Sequence, residues 1–314
     1  MRARLSGVGL ALCLLSAACF GAMGVFGKLA YAAGVGPEAL LALRFLLAAL
    51  LLAGVLALRP GLRSGGPGPR RPLGRRLLLT ALALGAVGYA TQATLYFTAL
   101  ERIDASLVAL VLYTYPALVT LAAVLLGRDR LTPARAAALL VASGGTLLVL
   151  LGAGGVRFDG TGVALAFGAA VTYTCYILVA DTVVHRLAPV VLSALVMAGA
   201  AVALTGRAIA GGGLDLGFGP AGWLWVGCIA VVSTVVAMLA FFAGLRRTGP
   251  STAAILSTAE PLVTAALAAV TLGESLTPVQ LAGGLLVLAS VVVVQLRPRR
   301  RTALPAEAPA AAVS

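Results

Sequence analysis

Residues 96–116, YFTALERIDASLVALVLYTYP, return 145 positions later as residues 241–261, FFAGLRRTGPSTAAILSTAEP, and this internal repeat shows how the chain is organised. Leu131-Thr132-Pro133 returns at the same spacing as Leu276-Thr277-Pro278. The identical pairs within the longer stretch are Phe97 and Phe242, Leu100 and Leu245, Arg102 and Arg247, Ser106 and Ser251, Ala109 and Ala254, and Pro116 and Pro261. Prolines and helix starts in one register do not follow from apolar composition alone, so the chain contains two related halves.

The composition of the chain is that of a membrane protein. Of its 314 residues, 61% are hydrophobic and only 11% are charged, and the mean hydropathy is +1.06. Soluble domains carry about 25% charged residues, whereas a membrane-spanning helix needs about 20 consecutive apolar residues. The apolar runs predict an all-α membrane protein with ten transmembrane helices. These helices cover residues 8–30, 37–58, 77–99, 105–126, 132–151, 160–181, 189–209, 220–244, 250–272 and 277–296.

Most basic residues lie between the predicted helices or at their ends, so the net charge of +13 indicates membrane topology and not a nucleic-acid partner. With a cytoplasmic N-terminus, the cytoplasmic segments hold 18 arginines, and the outer segments hold only Arg102, Arg157 and Arg207. Since basic residues accumulate on the cytoplasmic side, both termini are predicted to lie there. Residues 59–76 are then a cytoplasmic loop, and residues 297–314 are a disordered cytoplasmic tail.

The repeat and the helix count together predict a mechanism. Each half, residues 8–151 and residues 160–296, holds five predicted helices. Because five is odd, the second half enters the membrane in the opposite orientation. Inverted repeats recur in secondary transporters, whose halves exchange conformations around a binding site near the bilayer midplane. Duplicated bundles also serve as channels and scaffolds, so a non-transporting scaffold or sensor stays open as an alternative.

Glu260 is the strongest candidate for a functional charge. It lies near the middle of the predicted helix 250–272, and a charged group at that depth normally faces a cavity or a partner. Pro261 follows it and, like Pro116 in the first half, is expected to break the helix and free backbone carbonyls. The carboxyl group can exchange a proton or bind a substrate ammonium. A protonated carboxyl group held inside the bundle by hydrogen bonds is the structural alternative.

Two of the basic residues inside predicted helices, away from the cytoplasmic segments, are candidates for the site. Lys28 is the only lysine of the chain and follows Gly21, Gly24 and Gly27. This stripe of small residues allows close helix approach or leaves space for a ligand, although a lysine that reaches the outer interface is an equally simple explanation. Arg44 lies about 10 Å inside the second helix at about 1.5 Å per residue. It is a candidate partner for an acidic group or a substrate carboxylate, with a structural ion pair as the alternative.

Neutral polar side chains predict the lining of a cavity. On the third predicted helix, Gly88, Tyr89, Gln92 and Tyr96 share one face. Aromatic and amide groups suit small amphipathic ligands, whereas hydrogen bonding between helices is the structural alternative for each residue alone. The candidate substrate-binding residues of this kind are Gln92, Tyr96, Tyr113, Tyr173, Tyr176 and Ser233.

Short motifs recur in a characteristic order along residues 8–296. They are Phe20-Gly21 through Lys28, Arg44-Phe45, Pro116, Glu260-Pro261, Leu272-Gly273-Glu274-Ser275-Leu276-Thr277-Pro278 and Gly283-Gly284. In this order they resemble the EamA family of the drug/metabolite transporter superfamily. The resemblance implies a ten-helix carrier of metabolites in the bacterial inner membrane, often an exporter, and does not identify the substrate.

The leading hypothesis is a secondary transporter that exports amino acids or related small metabolites by alternating access, with proton exchange through Glu260 as the coupling hypothesis. A uniporter or a lipid flippase of the same fold is an alternative within transport. The expected partners are membrane lipids, a small-molecule substrate and protons, and the oligomeric state is left open. The sequence contains no nucleotide-binding loop, metal-ligand cluster or nucleophile–base arrangement. We therefore expect neither a cofactor nor enzymatic activity.

Overall fold

The computed structural model describes residues 7–63, 74–100, 102–103, 108, 111–151, 159–212, 214–272 and 277–295. Regular secondary structure in these residues is helical throughout. The α-helices α1 to α13 are, in chain order, Gly7–Ala32, Pro37–Leu58, Arg75–Ala83, Ala90–Leu100, Tyr115–Leu125, Pro133–Leu151, Gly160–Val184, Pro189–Ala210, Pro220–Ala230, Ala237–Thr248, Pro250–Ser257, Glu260–Leu272 and Pro278–Gln295. The predicted tail 297–314 and residues 64–73 of the predicted loop lie outside the described residues.

Prolines start many of these helices. Helices α2 and α11 begin at Pro37 and Pro250, as predicted, and α6 and α13 begin at Pro133 and Pro278, one residue after their predicted starts. Proline suits the first helical position because its ring already holds the helical φ and the first turn needs no N–H from it. The proline at the first position therefore determines where each of these helices begins.

Six helical segments in the described part of the chain are long and apolar enough to cross a membrane. They are Gly7–Ala32, Pro37–Leu58, Arg75–Ala99, Gly160–Val184, Pro189–Ala210 and Pro220–Thr248. Shorter apolar helices cover Tyr115–Leu125, Ala136–Leu148 and Leu281–Ser290. The chain is therefore a multi-pass α-helical membrane protein, and the count of ten spans stays a prediction.

Two of the predicted helices are interrupted. Turns at residues 113–114 and 258–259 divide the helices predicted over 105–126 and 250–272 before α5 and α12, next to Pro116 and Pro261, which the sequence led us to expect as helix-breaking residues. A proline occupies the second position of each new helix, where its ring would clash with a carbonyl of a preceding helical turn. The interruptions are 145 residues apart, which is the spacing of the sequence repeat.

Two long helices also contain π-helical segments. Leu84–Tyr89 joins α3 to α4, and Val231–Val236 joins α9 to α10. A π segment widens the helix locally and is often found at a functional site. The two segments lie in equivalent helices of the sequence repeat, one in each half.

Helices of the two halves pack against each other. Helix α1 packs on α9, α10, α11 and α12 of the second half, whereas α7 packs on α3, α4 and α5 of the first half. Helix α6 packs along α13, and α2 packs along α8. The first helix of each half thus lies against the other half, and the protein has one shared interior.

Glycines bring helix backbones into direct contact at two crossings. A Cβ atom on Gly199 of α8 would clash with the Leu82 carbonyl oxygen, and one on Gly85 of the π segment would clash with the Val196 carbonyl oxygen. A Cβ on Gly145 of α6 would lie 2.7 Å from the Gly283 carbonyl oxygen of α13. Small residues allow this close approach between apolar helices.

Gly199→Ala is expected to lower the free energy of unfolding by about 1–3 kcal/mol, because the added methyl group overpacks the crossing with Leu82. Gly206→Ala in the same helix is the matched control, since nothing lies within 4 Å of its added methyl group. That substitution is expected to be neutral or to stabilise by up to about 1 kcal/mol through helix propensity. Thermal unfolding of the purified protein in detergent measures both changes, and equal shifts for the two variants would contradict the close crossing.

Candidate functional site

A cavity of about 110 Å³, measured as the space open to the centre of a water-sized sphere, lies among α1, α2, α4, α5, α7 and α12. One water needs about 10–15 Å³ on this measure, so the cavity can hold several waters or a small solute. Its walls are mostly aromatic and contain one guanidinium group, one carboxyl group and one amide. The lining residues are Phe20, Met23, Arg44, Phe45, Tyr89, Gln92, Ala93, Tyr96, Phe97, Leu112, Tyr113, Tyr115, Tyr173 and Glu260.

Arg44 is a buried charge in this cavity, with only 4% of its surface exposed. Its Nε donates a hydrogen bond of 2.8 Å to Thr234 Oγ1, and a terminal nitrogen donates one of 3.1 Å to the Tyr89 hydroxyl. The guanidinium carbon lies 4.8 Å from the centroid of the Phe45 ring. Because two of its five N–H groups are used in these bonds, Arg44 keeps donors for another acceptor in the cavity.

The two hydrogen bonds of Arg44 reach both π-helical segments. Tyr89 is the last residue of the first segment, and Thr234 lies within the second. Thr234 Oγ1 donates its own proton to the Ile229 carbonyl oxygen at 2.9 Å, so its lone pairs are left to accept from Arg44. Arg44 of α2 is therefore held by one helix from each half.

Glu260 begins α12 and lies partly exposed in the cavity wall. Its carboxyl group shares this cavity with the Tyr113 hydroxyl and with the Arg44 guanidinium group. A carboxylate at a helix N-terminus is also stabilised by the positive end of the helix dipole. The carboxyl group therefore sits beside the same cavity as Arg44 on a helix of the other half.

Helix α1 fixes the position of the Glu260 backbone. A Cβ atom on Gly21 would lie 2.8 Å from the Glu260 carbonyl oxygen, and one on Gly24 would lie 3.2 Å from the Thr264 methyl carbon. Thr264 Oγ1 also lies 2.9 Å from the Gly21 carbonyl oxygen, to which it can donate. Of the two functions predicted for the glycine stripe, Gly21 and Gly24 provide close approach, whereas nothing lies within 4 Å of a Cβ on Gly27.

Tyrosines form a continuous aromatic wall. The ring centroids of Tyr115 and Tyr173 are 4.8 Å apart, and those of Tyr173 and Tyr176 are 5.9 Å apart. Tyr176 stacks in turn on Tyr89 at 5.5 Å. Aromatic pairs at these separations attract each other beyond their burial, so the wall is a packed surface that links α5, α7 and the first π segment.

The structure brings together six of the nine predicted site residues, namely Arg44, Gln92, Tyr96, Tyr113, Tyr173 and Glu260. Three others do not line the cavity. Tyr176 lies behind Tyr89 and Tyr173, Ser233 is fully buried in the second π segment, and Lys28 is exposed near the end of α1.

Sequence reasoning omitted several lining residues from the predicted site. Tyr89 was already placed on one helix face with Gln92 and Tyr96 by its spacing, was left out of the candidate substrate-binding residues, and lies in the wall beside them. Tyr115 is the first-half counterpart of Glu260, so the repeat could have added it. Phe20, Met23, Phe45 and Phe97 carry no polar signal that separates them from the apolar helix surface.

In the described residues, no group of three or more His, Cys, Asp or Glu side chains could hold a metal ion. The chemistry of the cavity is therefore that of one guanidinium group, one carboxyl group, hydroxyl groups and aromatic faces. Such a set can bind and orient a small charged or zwitterionic solute.

Known proteins share both the sequence pattern and the fold. Residues 7–151 and 160–296 each match the EamA-like transporter family. The chain belongs to this family. It is thus an EamA-like transporter, a multi-pass membrane protein of the drug/metabolite transporter superfamily.

Two relatives of this EamA-like transporter come from Bacillus subtilis (strain 168), and both are named as uncharacterized transporters. YcbK is 28% identical over 278 residues, covering 86% of this chain and 87% of that protein. YwfM is 30% identical over 169 residues, covering 52% of this chain and 55% of that protein. A protein of known crystal structure shares the fold with a TM-score of 0.76 at 22% identity, covering 94% of this EamA-like transporter and 99% of that chain.

Proposed function

We propose that this EamA-like transporter is a secondary transporter that exports amino acids or related small metabolites from the bacterial cytoplasm by alternating access. One observation carries the proposal. Arg44 of the first half and Glu260 of the second half line the same aromatic cavity. A carrier needs such a site between its halves, so that movement of one half against the other can expose it to either side.

Zwitterionic solutes match the charges of the cavity. The unused N–H groups of Arg44 suit a substrate carboxylate, for which a planar guanidinium group offers paired donors. The Glu260 carboxyl group suits a substrate ammonium, and the tyrosine rings supply a surface for apolar parts of the solute. A bound zwitterion would leave the site with balanced charge, which lowers the cost of burying it.

The two halves are proposed to lie in the membrane in opposite orientations. The helix interruptions at residues 113–114 and 258–259, and a π segment in each half, support two copies of one unit. Helix α1 packs on the second half and α7 packs on the first half, and this reciprocal packing supports a pseudo-twofold relation between the copies. With five helices in each half, both termini lie in the cytoplasm, and the arginine distribution supports this orientation for a bacterial inner membrane.

Only one route to the cavity is proposed to be open in this conformation. The cavity residues of α4 lie in the later part of the span Arg75–Ala99, which faces outward in the proposed orientation. Toward the cytoplasmic end, Gly244 packs directly on Cys13, and Ser251 to Leu256 are buried. Transport then requires α1, α10 and α11 to separate while the outer ends of α1 and α4 close.

Glu260 is proposed as the residue that couples transport to protons. Its carboxyl group lies where a proton and a substrate ammonium would compete. A cycle in which one leaves before the other binds would exchange a proton for substrate. Tyr115 stands at the equivalent position of the first half and carries no acidic group, so the coupling involves a single site.

Flux measurements on the purified protein test the proposal. Proteoliposomes are loaded with a mixture of the common amino acids under an imposed pH gradient, and the release of each is followed by mass spectrometry. We expect saturable release of at least one zwitterionic amino acid, faster than from protein-free liposomes, and expect the rate to depend on the gradient. Failure of every amino acid to move above the protein-free rate would overturn the substrate class. Movement without dependence on the gradient would favour a uniporter.

A further inference from the structure

A second concavity lies on the outer surface of the bundle, between α4 and α8. It contains about 250 Å³ of space open to the centre of a water-sized sphere. Its floor and walls are small or apolar, with two threonines and one arginine at the edge. The lining residues are Ala86, Ala90, Thr91, Thr94, Leu95, Ala203, Leu204 and Arg207.

The groove follows from the way the two helices cross. Gly85 and Gly199 bring the backbones into contact at the crossing, and helices that cross at an angle separate on either side of it. Beyond the crossing the facing residues are alanines, which are too short to fill the gap. Val87 and Val202 are the sequence neighbours of the lining residues Ala86 and Ala203. Their side chains are exposed, with 65% and 75% of their surface accessible. The groove therefore opens on an apolar surface of the kind that faces lipid.

Arg207 stands at the end of the groove. Its terminal nitrogen donates a hydrogen bond of 3.0 Å to Thr94 Oγ1, a neutral partner. It lies 18 residues after the start of α8, roughly 27 Å along the helix at about 1.5 Å per residue. That distance is close to the roughly 30 Å thickness of the hydrocarbon layer. Arg207 therefore lies at headgroup level, on the side of the membrane opposite to Arg75 at the start of α3.

The charge of Arg207 contrasts with that of Arg102 at the same end of the bundle. Arg102 has a carboxylate partner, since its terminal nitrogen lies 3.7 Å from Asp159 Oδ2. In the described part of the chain, no carboxylate lies within 4.0 Å of Arg207. A guanidinium group at headgroup level whose described hydrogen-bond partner is a neutral hydroxyl is complementary to a lipid phosphate.

We propose that this groove binds an anionic phospholipid, with one acyl chain against Ala90 and Ala203 and the phosphate on Arg207 and Thr94. The site requires only that the chain lies in a membrane, and it is separate from the cavity of Arg44 and Glu260. A lipid held there would brace α4 against α8 just beyond their glycine crossing, and α4 supplies Gln92 and Tyr96 to the cavity.

Native mass spectrometry of the delipidated protein, titrated with phosphatidylglycerol, tests the site. Arg207→Gln is expected to weaken the tightest lipid adduct about fivefold, since a basic residue near the membrane surface contributes about 1 kcal/mol. Arg102→Gln removes the same charge from the same end and is expected to leave the adduct unchanged. Ala203→Leu and Thr91→Phe fill the groove while keeping Arg207, and both are expected to weaken the adduct.

The outcomes separate a lipid site from simple attraction of anions. Thermal unfolding checks that each variant is folded. If Ala203→Leu does not fold, Thr91→Phe still tests the groove, because Thr91 is exposed. Glycerol phosphate in excess should fail to displace the lipid, because it lacks the acyl chain; displacement would show a free phosphate site instead. Equal weakening by Arg207→Gln and Arg102→Gln, or no effect of the groove-filling variants, would overturn the proposal.

Discussion

Glu260→Gln is expected to reduce gradient-driven flux by roughly 100-fold, corresponding to about 3 kcal/mol of lost attraction between the carboxylate and a substrate ammonium. Glutamine has nearly the same shape and keeps an oxygen that can accept a hydrogen bond at the same place in the cavity wall. It can neither carry a negative charge toward a substrate ammonium nor release a proton. The measurement is the initial rate of release from proteoliposomes with and without an imposed pH gradient, using an amino acid that the wild type transports.

Glu38→Gln is the matched control for this change. Glu38 stands in the first turn of α2 and is not part of the cavity wall, so the same chemical substitution should leave the flux unaltered. If Glu260→Gln retained wild-type flux and wild-type dependence on the gradient, Glu260 would be a structural carboxyl group and proton coupling through it would be refuted. Loss of the gradient dependence alone, with exchange of substrate preserved, would assign the residue to coupling and not to binding.

Arg44→Gln is expected to lower flux by a similar factor and also to lower the free energy of unfolding by about 3 kcal/mol. The loss of stability follows because hydrogen bonds to a charged group contribute about 1.5–3 kcal/mol, and Arg44 makes such bonds to Thr234 and Tyr89. Arg44→Lys keeps the charge but loses the planar arrangement of donors, so it should restore only part of the flux. Thermal unfolding and proteoliposome flux, measured on the same preparations, check both effects.

Substitutions at Thr234 test the position of the Arg44 side chain without changing its charge. Thr234→Val has nearly the same volume but cannot accept from Arg44 Nε, so we expect a KM increase of about tenfold, as for one lost hydrogen bond to a charged group. Thr234→Ser keeps the hydroxyl group and should restore the KM. Ser233→Ala is the neighbouring control, because within the described residues the Ser233 hydroxyl has no hydrogen-bond partner and does not line the cavity. An equal KM for the valine and serine variants would show that Thr234 does not position Arg44.

The helices of this protein could be predicted well from sequence because the signals are local. The apolar runs predicted the start of α2 at Pro37 and that of α13 within one residue of Pro278. The repeat placed Pro116 and Pro261 at equivalent positions, where the chain is interrupted. The π segments were missed, since their extra residue per turn depends on packing at the helix crossing and carries no clear composition signal.

The candidate site could be predicted only in part. Intramembrane charge selected Arg44 and Glu260 because each is costly to bury without a function or a partner. The same reasoning also selected Lys28, which lies away from the cavity. Polarity alone does not tell which face of a helix meets which neighbour, and for that reason Tyr176 and Ser233 were selected as lining residues but lie outside the wall.

From its amino-acid sequence alone, this chain could be recognised as a helical membrane protein with an internal repeat, and the starts of several helices could be predicted. Those properties depend on transfer of apolar side chains into lipid and on backbone chemistry within a few residues, so they can be read locally. The tertiary structure alone decided that Arg44 meets Thr234 across 190 residues and that six of the predicted residues share one cavity. Contacts of this kind depend on helix crossings and on side-chain packing between distant segments, which no local pattern encodes.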